Sequence, residues 1–282
     1  LKLIQANNTT KYSTKNNLCI SGCKFLRSSY GTDSTSDYNA YSACLLALDL
    51  RNGVNAGYVS SYDPRNFITI NDCVFVNYTN YSSTSAPEIN NLSNALPPMM
   101  YNSTGYAGTG YIGVFNFINS SKFNTVKVHS CYFDLMLRRL KNDNGTTSNT
   151  KYVGLYFENS NAIGNDTNID LQNNFISIIN NVEAISGQNV IGTYIKELNT
   201  LNVVSNQFIT VNNQSYTPGT IRALEMYTIT AANVNTKLIG NTFTRKDTDL
   251  SSYLVKYNIT TVDAKHAIIN NYFDSSYPNS VT

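Results

Sequence analysis

The sequence predicts an all-β fold: a right-handed, single-stranded parallel β-helix of about seven coils, with long loop insertions in its N-terminal half. Three observations predict it. One short template recurs seven times, a second strand-like segment precedes most of its copies, and the spacing between copies settles toward the C-terminus. Self-similarity of this kind is the signature of a stacked-repeat architecture, in which no repeat can bury its apolar face alone.

The template reads apolar, x, apolar, x, x, Cys/Asn, x, Phe. It is met at Leu18–Phe25, Ile68–Phe75, Val126–Phe133, Leu201–Phe208, Thr236–Phe243 and His266–Phe273, and at Ile169–Phe175 with one residue deleted. The Phe-to-Phe intervals are 50, 58, 42, 33, 35 and 30 residues, so the early coils carry insertions and the later ones do not. Period-two alternation with β-branched residues is strand chemistry, and the polar residues before each Phe mark a sharp corner. The second segment reads Tyr111-Ile-Gly-Val-Phe115, Tyr152-Val-Gly-Leu-Tyr156 and Val190-Ile-Gly-Thr-Tyr194, then more loosely Thr220–Leu224 and Tyr253–Tyr257. Two or three strands per period describe one coil. Stacked in parallel, each strand pairs with its counterparts above and below and satisfies backbone groups that a lone coil leaves open.

Like side chains then lie over one another. Cys23, Cys73 and Cys131, then Asn173 or Asn174, then Asn206, Asn241 and Asn271 form an internal corner ladder, where Asn hydrogen-bonds turn backbone and tolerates left-handed φ. The phenylalanines stack in the core. A β-propeller needs four antiparallel strands per blade, and a β-sandwich does not repeat one corner residue seven times. The repeats resemble the pectate-lyase-like superfamily of right-handed parallel β-helices, which includes pectinolytic enzymes and phage tailspikes, over residues 17–275. Residues 1–16 are read as an N-terminal cap or a linker to a preceding domain, 17–275 as the helix with insertions at 27–43, 51–65, 77–110 and 136–151, and 276–282 as a tail. The 77–110 insertion, with Pro97-Pro98-Met99-Met100, is either a partner-contacting loop or a decorated one.

Composition narrows the setting. Only 13% of residues are charged and the net charge is +2, without a basic block beyond Arg138-Arg139-Leu140-Lys141, so there is no electrostatic footprint for nucleic acid. No apolar run reaches membrane-spanning length, and the start at Leu1, with neither Met nor a signal pattern, points to a mature or excised segment. Polarity rests on Asn, Ser, Thr and 21 Tyr. Asn-x-Ser/Thr sequons stand at Asn7, Asn8, Asn77, Asn80, Asn91, Asn102, Asn119, Asn144, Asn165, Asn213 and Asn258, and together they favour an extracellular or virion surface. The five cysteines, Cys19, Cys23, Cys44, Cys73 and Cys131, lack metal-ligand spacing, and three share one repeat position. Stacked thiols are expected rather than a disulfide framework, with no metal and no cofactor.

Chemistry is sparse. Hydrolases and lyases of the superfamily carry motifs absent here: Asn235-Thr236-Lys237 and Asn199-Thr200-Leu201 begin like one of them but lack its carboxylate. His129 and His266 are read as structural, outward and inward respectively. Asp49, Glu158, Glu197 and Glu225 fall late in the first strand of their coils, and Glu197 with Glu225 is the pair that could serve glycoside chemistry. A column of Phe115, Tyr156, Tyr194, Leu224 and Tyr257, with Gly113, Gly154 and Gly192 two residues earlier, forms either a glycan-binding groove on the outside, with Glu158 nearby, or plain core on the inside.

Three functions follow. The first is a virion tailspike or surface adhesin that binds host-envelope glycans through a β-helix face and its loops. The second is a polysaccharide-degrading enzyme, a hydrolase or lyase. The third is a cell-surface structural or surface-layer component. The composition also resembles surface proteins of Sulfolobus-type archaea and their viruses, and the tailspike resemblance implies a homotrimer with cell-surface glycans as partners.

Overall fold

The computed structural model describes residues 4–5, 15–26, 46–50, 65–76, 100–101, 111–119, 123–138, 151–159, 166–181, 189–196, 199–212, 220–228, 234–246, 253–259 and 263–274. These residues form strands and corners and no helix. In chain order the strands are β1 (Ile4–Gln5), β2 (Lys15–Ser21), β3 (Lys24–Leu26), β4 (Leu46–Leu50), β5 (Arg65–Asn71), β6 (Val74–Val76), β7 (Met100–Tyr101), β8 (Tyr111–Asn119), β9 (Phe123–His129), β10 (Tyr132–Arg138) and β11 (Lys151–Asn159). They continue with β12 (Asp166–Gln172), β13 (Phe175–Asn181), β14 (Asn189–Lys196), β15 (Thr200–Val204), β16 (Gln207–Asn212), β17 (Thr220–Thr228), β18 (Asn235–Ile239), β19 (Thr242–Lys246), β20 (Val255–Ile259), β21 (Lys265–Ile269) and β22 (Tyr272–Asp274).

Three sheets collect them. The first runs β1-β4-β8-β11-β14-β17-β20, the second β2-β5-β9-β12-β15-β18-β21, and the third β3-β6-β10-β13-β16-β19-β22. All pairings along these paths are parallel. Among the described strands only β7, inside the 77–110 insertion, adds antiparallel to β8. Each sheet therefore takes one strand from each repeat in turn, a solenoid-like arrangement in which every rung pairs with the rungs before and after it.

The template explains the corner between the second and third sheets. Inward positions of the second sheet stack Leu18, Ile68, Val126, Ile169, Leu201, Thr236 and His266 in one column. Outward positions between them carry Thr69, Lys127, Asp170, Asn202 and Lys237. The chain then turns through a left-handed residue, Gly22, Asp72, Ser130, Asn173, Ser205, Gly240 or Asn270, with φ between 52° and 64°. Gly, Asn, Asp and Ser tolerate this conformation because they are small or bond their own backbone. The left-handed residue thus lies one position before the Cys/Asn ladder, not in it. The ladder residue turns inward, and the next but one begins the aromatic column: Phe25 stacks on Phe75 at 4.7 Å, and Phe75 on Phe133 at 4.6 Å. Phe208 stacks on Phe243 at 4.8 Å, and Phe243 on Phe273 at 5.0 Å.

One repeat corrects the sequence alignment. Ile169 pairs with Val126 and Leu201, while Phe175 pairs with Tyr132 and Gln207, so no residue is deleted and Ile176 fills the phenylalanine column between Phe133 and Phe208. Asn174, rather than Asn173, is the ladder residue. Phe175 faces outward.

The first sheet is buried on both sides where β11, β14 and β17 run together. Gly154 faces the core: a Cβ there would lie 2.5 Å from Ile178 Cδ1 and 2.7 Å from the Gly192 carbonyl, and one at Gly192 would lie 2.6 Å from the Ala223 carbonyl. Leu155, the next residue, also belongs to the core. Two successive inward residues mark a bulge, and two rungs on the amides of Ala223 and Leu224 share the Leu254 carbonyl at 2.8 and 3.1 Å. The bulge slips the alternation and sends Val153, Tyr156, Ile191 and Tyr194 to the opposite face, where they form a second buried cluster with Tyr227 packed against it.

Candidate functional site

The sequence-based aromatic column is three columns in space. Register pairs Gly113 with Val153 and Phe115 with Leu155, one position away from the glycine-on-glycine alignment. Phe115, Leu155, Thr193 and Leu224 share one column; Tyr156, Tyr194 and Glu225 share the next; Tyr257 stands in a third with Phe157, Ile195 and Met226. Tyr156 and Tyr194 stack at 5.8 Å but are each only 1% exposed, so neither offers a free ring face. Tyr257 is half-buried, edge-on to His266 at 5.2 Å, and burial pushes its phenol up to about 12 against a small lowering from Thr236.

The carboxylates separate likewise. Glu225 is buried and receives Arg222 Nη1 at 2.6 Å, and its register partners are Tyr194 and Lys256. Glu197 lies outside the described residues. Asp49 and Glu158 are placed by backbone register alone, Asp49 beside Gln5 and Ile118, Glu158 beside Lys196 and Ile118. Of the sequons in described strands, Asn119 ends β8 and Asn258, in β20, is half-buried. Asn7, Asn8, Asn77, Asn80, Asn91, Asn102, Asn144, Asn165 and Asn213 lie outside the described residues.

The ladder shows why Cys and Asn alternate in one template. Asn174 Nδ2 donates to the Val128 carbonyl of the preceding rung at 2.7 Å, Asn206 to Leu171 at 2.8 Å, Asn241 to Val203 at 2.8 Å and Asn271 to Leu238 at 2.8 Å. Cys73 and Cys131 donate their thiols to the equivalent carbonyls, Ile20 at 3.7 Å and Ile70 at 3.6 Å. Cys is thus the weak-donor version of Asn at this site. Cys19, Cys23, Cys73 and Cys131 are all free thiols, and Cys44 lies outside the described residues.

Burial raises the thiol of Cys73 and pushes that of Cys131 up to about 12 from 9.0. A thiol-specific reagent is therefore expected to modify the exposed Cys19 and Cys23 in the native protein at neutral pH and to reach Cys73 and Cys131 only after denaturation, as read by mass spectrometry. Because the folded Cys131 thiol is the weaker acid, its contribution to stability is complete below pH 9 and disappears as the pH climbs through about 12.

Among the described residues the exposed aromatics are Phe67 on the second sheet, Tyr132 and Tyr272 on the third, and Tyr253 just before β20. Tyr132 is 41% exposed and lies flat on Phe175, with ring centroids 4.8 Å apart and planes 3° from parallel. Partial burial first, then the negative charge of Asp134 and its hydrogen bond to the hydroxyl, hold the Tyr132 phenol above its ordinary value. Gln207 continues the outward column on the next rung. Around the corner, on the second sheet, His129 Nε2 stands 3.2 Å from Asp170 Oδ2, and Gln172 Nε2 donates to both Asp170 oxygens at 2.8 and 3.0 Å. The signal for this strip was the position between ladder residue and phenylalanine, outward by alternation; assigning Phe175 to the inner column hid it. Among the described residues no group of three or more His, Cys, Asp or Glu is placed to hold a metal ion. Comparison with known proteins finds no matching family model, no similar curated protein and no similar solved structure.

Proposed function

We propose that this chain is a surface rod of the virion-tailspike or adhesin kind, which binds host-envelope glycans on its outer face. In this reading the three sheets close into a right-handed parallel β-helix of seven coils. The handedness follows the strong preference of parallel strand connections for the right-handed turn. A neutral, hydroxyl-rich rod suits an extracellular or virion surface, and side-by-side association into a homotrimer belongs to the same proposal.

The observation that carries the binding role is the Tyr132–Phe175 stack, a flat exposed aromatic step with Asp134 and Gln207 beside it. Sugar rings lie with their C–H faces on such surfaces while hydroxyls meet neighbouring polar groups. The rung spacing of about 4.8 Å is also close to the length of one pyranose ring. In this reading the contact falls on Tyr132, because Tyr156 and Tyr194 are buried.

Polysaccharide extracted from the host envelope is expected to bind the immobilised protein, and Tyr132→Ala to weaken that binding by roughly threefold to tenfold, the worth of one aromatic face. Equal affinity in the variant would remove this face, and a wild-type protein that binds no envelope glycan would remove the adhesin reading.

A further inference from the structure

We propose that the glycan seat at Tyr132 takes uncharged chains and excludes acidic ones, with the carboxylates of Asp134 and Asp72 receiving pairs of sugar hydroxyls at its two ends. The proposal rests on the adhesin reading above and adds the class of sugar to it. The seat lies within the stack, with described rungs on both sides. One face of the Tyr132 ring is against Phe175. On the other side its register partner is Val74, a short side chain, and the tyrosine is left 41% exposed. Tyrosine on one rung and valine on the rung before it make a step, the ring forming its wall and Val74 its floor. A pyranose set on Val74 meets the ring with its C–H face.

Both ends of the step carry carboxylates. Asp134 stands two residues beyond Tyr132 on the same outward face and accepts a hydrogen bond from the Tyr132 hydroxyl. That bond fixes the carboxylate beside the ring, and a carboxylate has about four acceptor positions, more than one phenol fills. Asp72 stands two residues before Val74 at the exposed left-handed corner, where its Oδ2 accepts Asn71 Nδ2 at 3.0 Å. Hydrogen bonds from neutral donors to a carboxylate are about twice as strong as those between neutral groups. Adjacent hydroxyls on a sugar ring supply two such donors to one carboxylate.

The same charges exclude anions. Among the described residues, the register columns through Tyr132 and Asp134 contain Asp134, Asp274 and one cation, Lys24. Lys24 stands two rungs before Tyr132, about 10 Å away, where salt at ordinary strength screens it. Lys127 belongs to the second sheet and lies beside Asp170 in register. A uronate, sulfate or phosphate on the seated sugar therefore meets Asp134 at close range with no cation placed between them, and like charges so juxtaposed weaken binding steeply.

The test uses the immobilised full chain. Host-envelope polysaccharide is divided by anion exchange into a neutral and an acidic pool, and part of the neutral pool is oxidised at its primary alcohols to carboxylates. Wild type is expected to bind the neutral pool at least about tenfold more tightly than the acidic or the oxidised pool at low salt, and added salt to narrow the gap. Asp134→Asn should lose roughly threefold to tenfold of its affinity for the neutral pool and bind the oxidised pool within about threefold of it. Asp72→Asn, whose side chain also suits a left-handed corner, should shift both affinities the same way by less. Wild type that binds the acidic pool as tightly as the neutral one would overturn the inference and leave the adhesin reading standing. So would affinity unchanged by oxidation, or an Asp134→Asn protein with the wild-type preference. Wild type that binds neither pool would remove the adhesin reading and this inference together.

Discussion

Asn206→Ala is expected to lower the unfolding free energy by about 3–5 kcal/mol, because it strands several buried polar groups at once. Asn206 Oδ1 accepts the Asn174 backbone amide and Asn174 Nδ2, each at 2.9 Å. Its own Nδ2 donates to the carbonyls of Leu171 at 2.8 Å and Val204 at 3.1 Å, and to Asn241 Oδ1 at 3.1 Å. Alanine leaves the Asn174 N–H without its acceptor where water does not reach and takes the side-chain donor from the Leu171 carbonyl, and each bond lost from a buried group costs about 1–3 kcal/mol. Asn206→Cys restores a weak donor to the Leu171 carbonyl, as Cys131 supplies one to Ile70, but no good acceptor for the Asn174 amide. It should fall between wild type and alanine.

The same change at the edge is the internal control. Asn271 is only half-buried, so solvent replaces part of what Asn271→Ala removes and the loss stays below about 2 kcal/mol. Urea denaturation monitored by far-UV circular dichroism, with midpoints compared at constant slope, gives all three values. Equal losses at positions 206 and 271 would mean that the ladder is ornamental and that the apolar columns alone hold the rungs.

The ladder also marks what sequence could and could not reveal. A column of Cys and Asn in fixed phase with Phe exposes the second and third sheets, because the corner geometry repeats without insertions and admits few residue types. Phe175 defeated the pattern because an aromatic suits both the inner and outer positions flanking a corner, and only the pairing with Tyr132 and Gln207 distinguishes them. The first sheet was harder still. Its glycines look like a register mark, but Gly154 and Gly192 serve the close approach of stacked bulges, whereas Gly113 pairs with Val153. A bulge reverses which residues face out, and alternation read across it turns Tyr156 and Tyr194 from buried into apparently available.

That reversal also brings Arg222 and Glu225 together, three residues apart on one buried face. Each is expected to be needed by the other. Arg222→Met leaves the Glu225 carboxylate in a nearly dry site, and Glu225→Leu leaves the guanidinium there, with Nε already lacking a partner. Stranding one member of a buried pair typically costs about 3–5 kcal/mol. Glu225→Leu should be the more damaging, since Lys256 lies beside Glu225 on the following rung and can soften the loss of Arg222. The double substitution Arg222→Met with Glu225→Leu removes both charges and extends the apolar columns of Ile191 and Tyr194, so it should recover most of the loss. A double-mutant cycle by urea denaturation measures the coupling. Additive single losses below about 1 kcal/mol, the value of an exposed pair, would contradict this account. Strong coupling would assign the Glu225 carboxylate to holding β17 in place, with its negative charge directed at Arg222 rather than at a substrate.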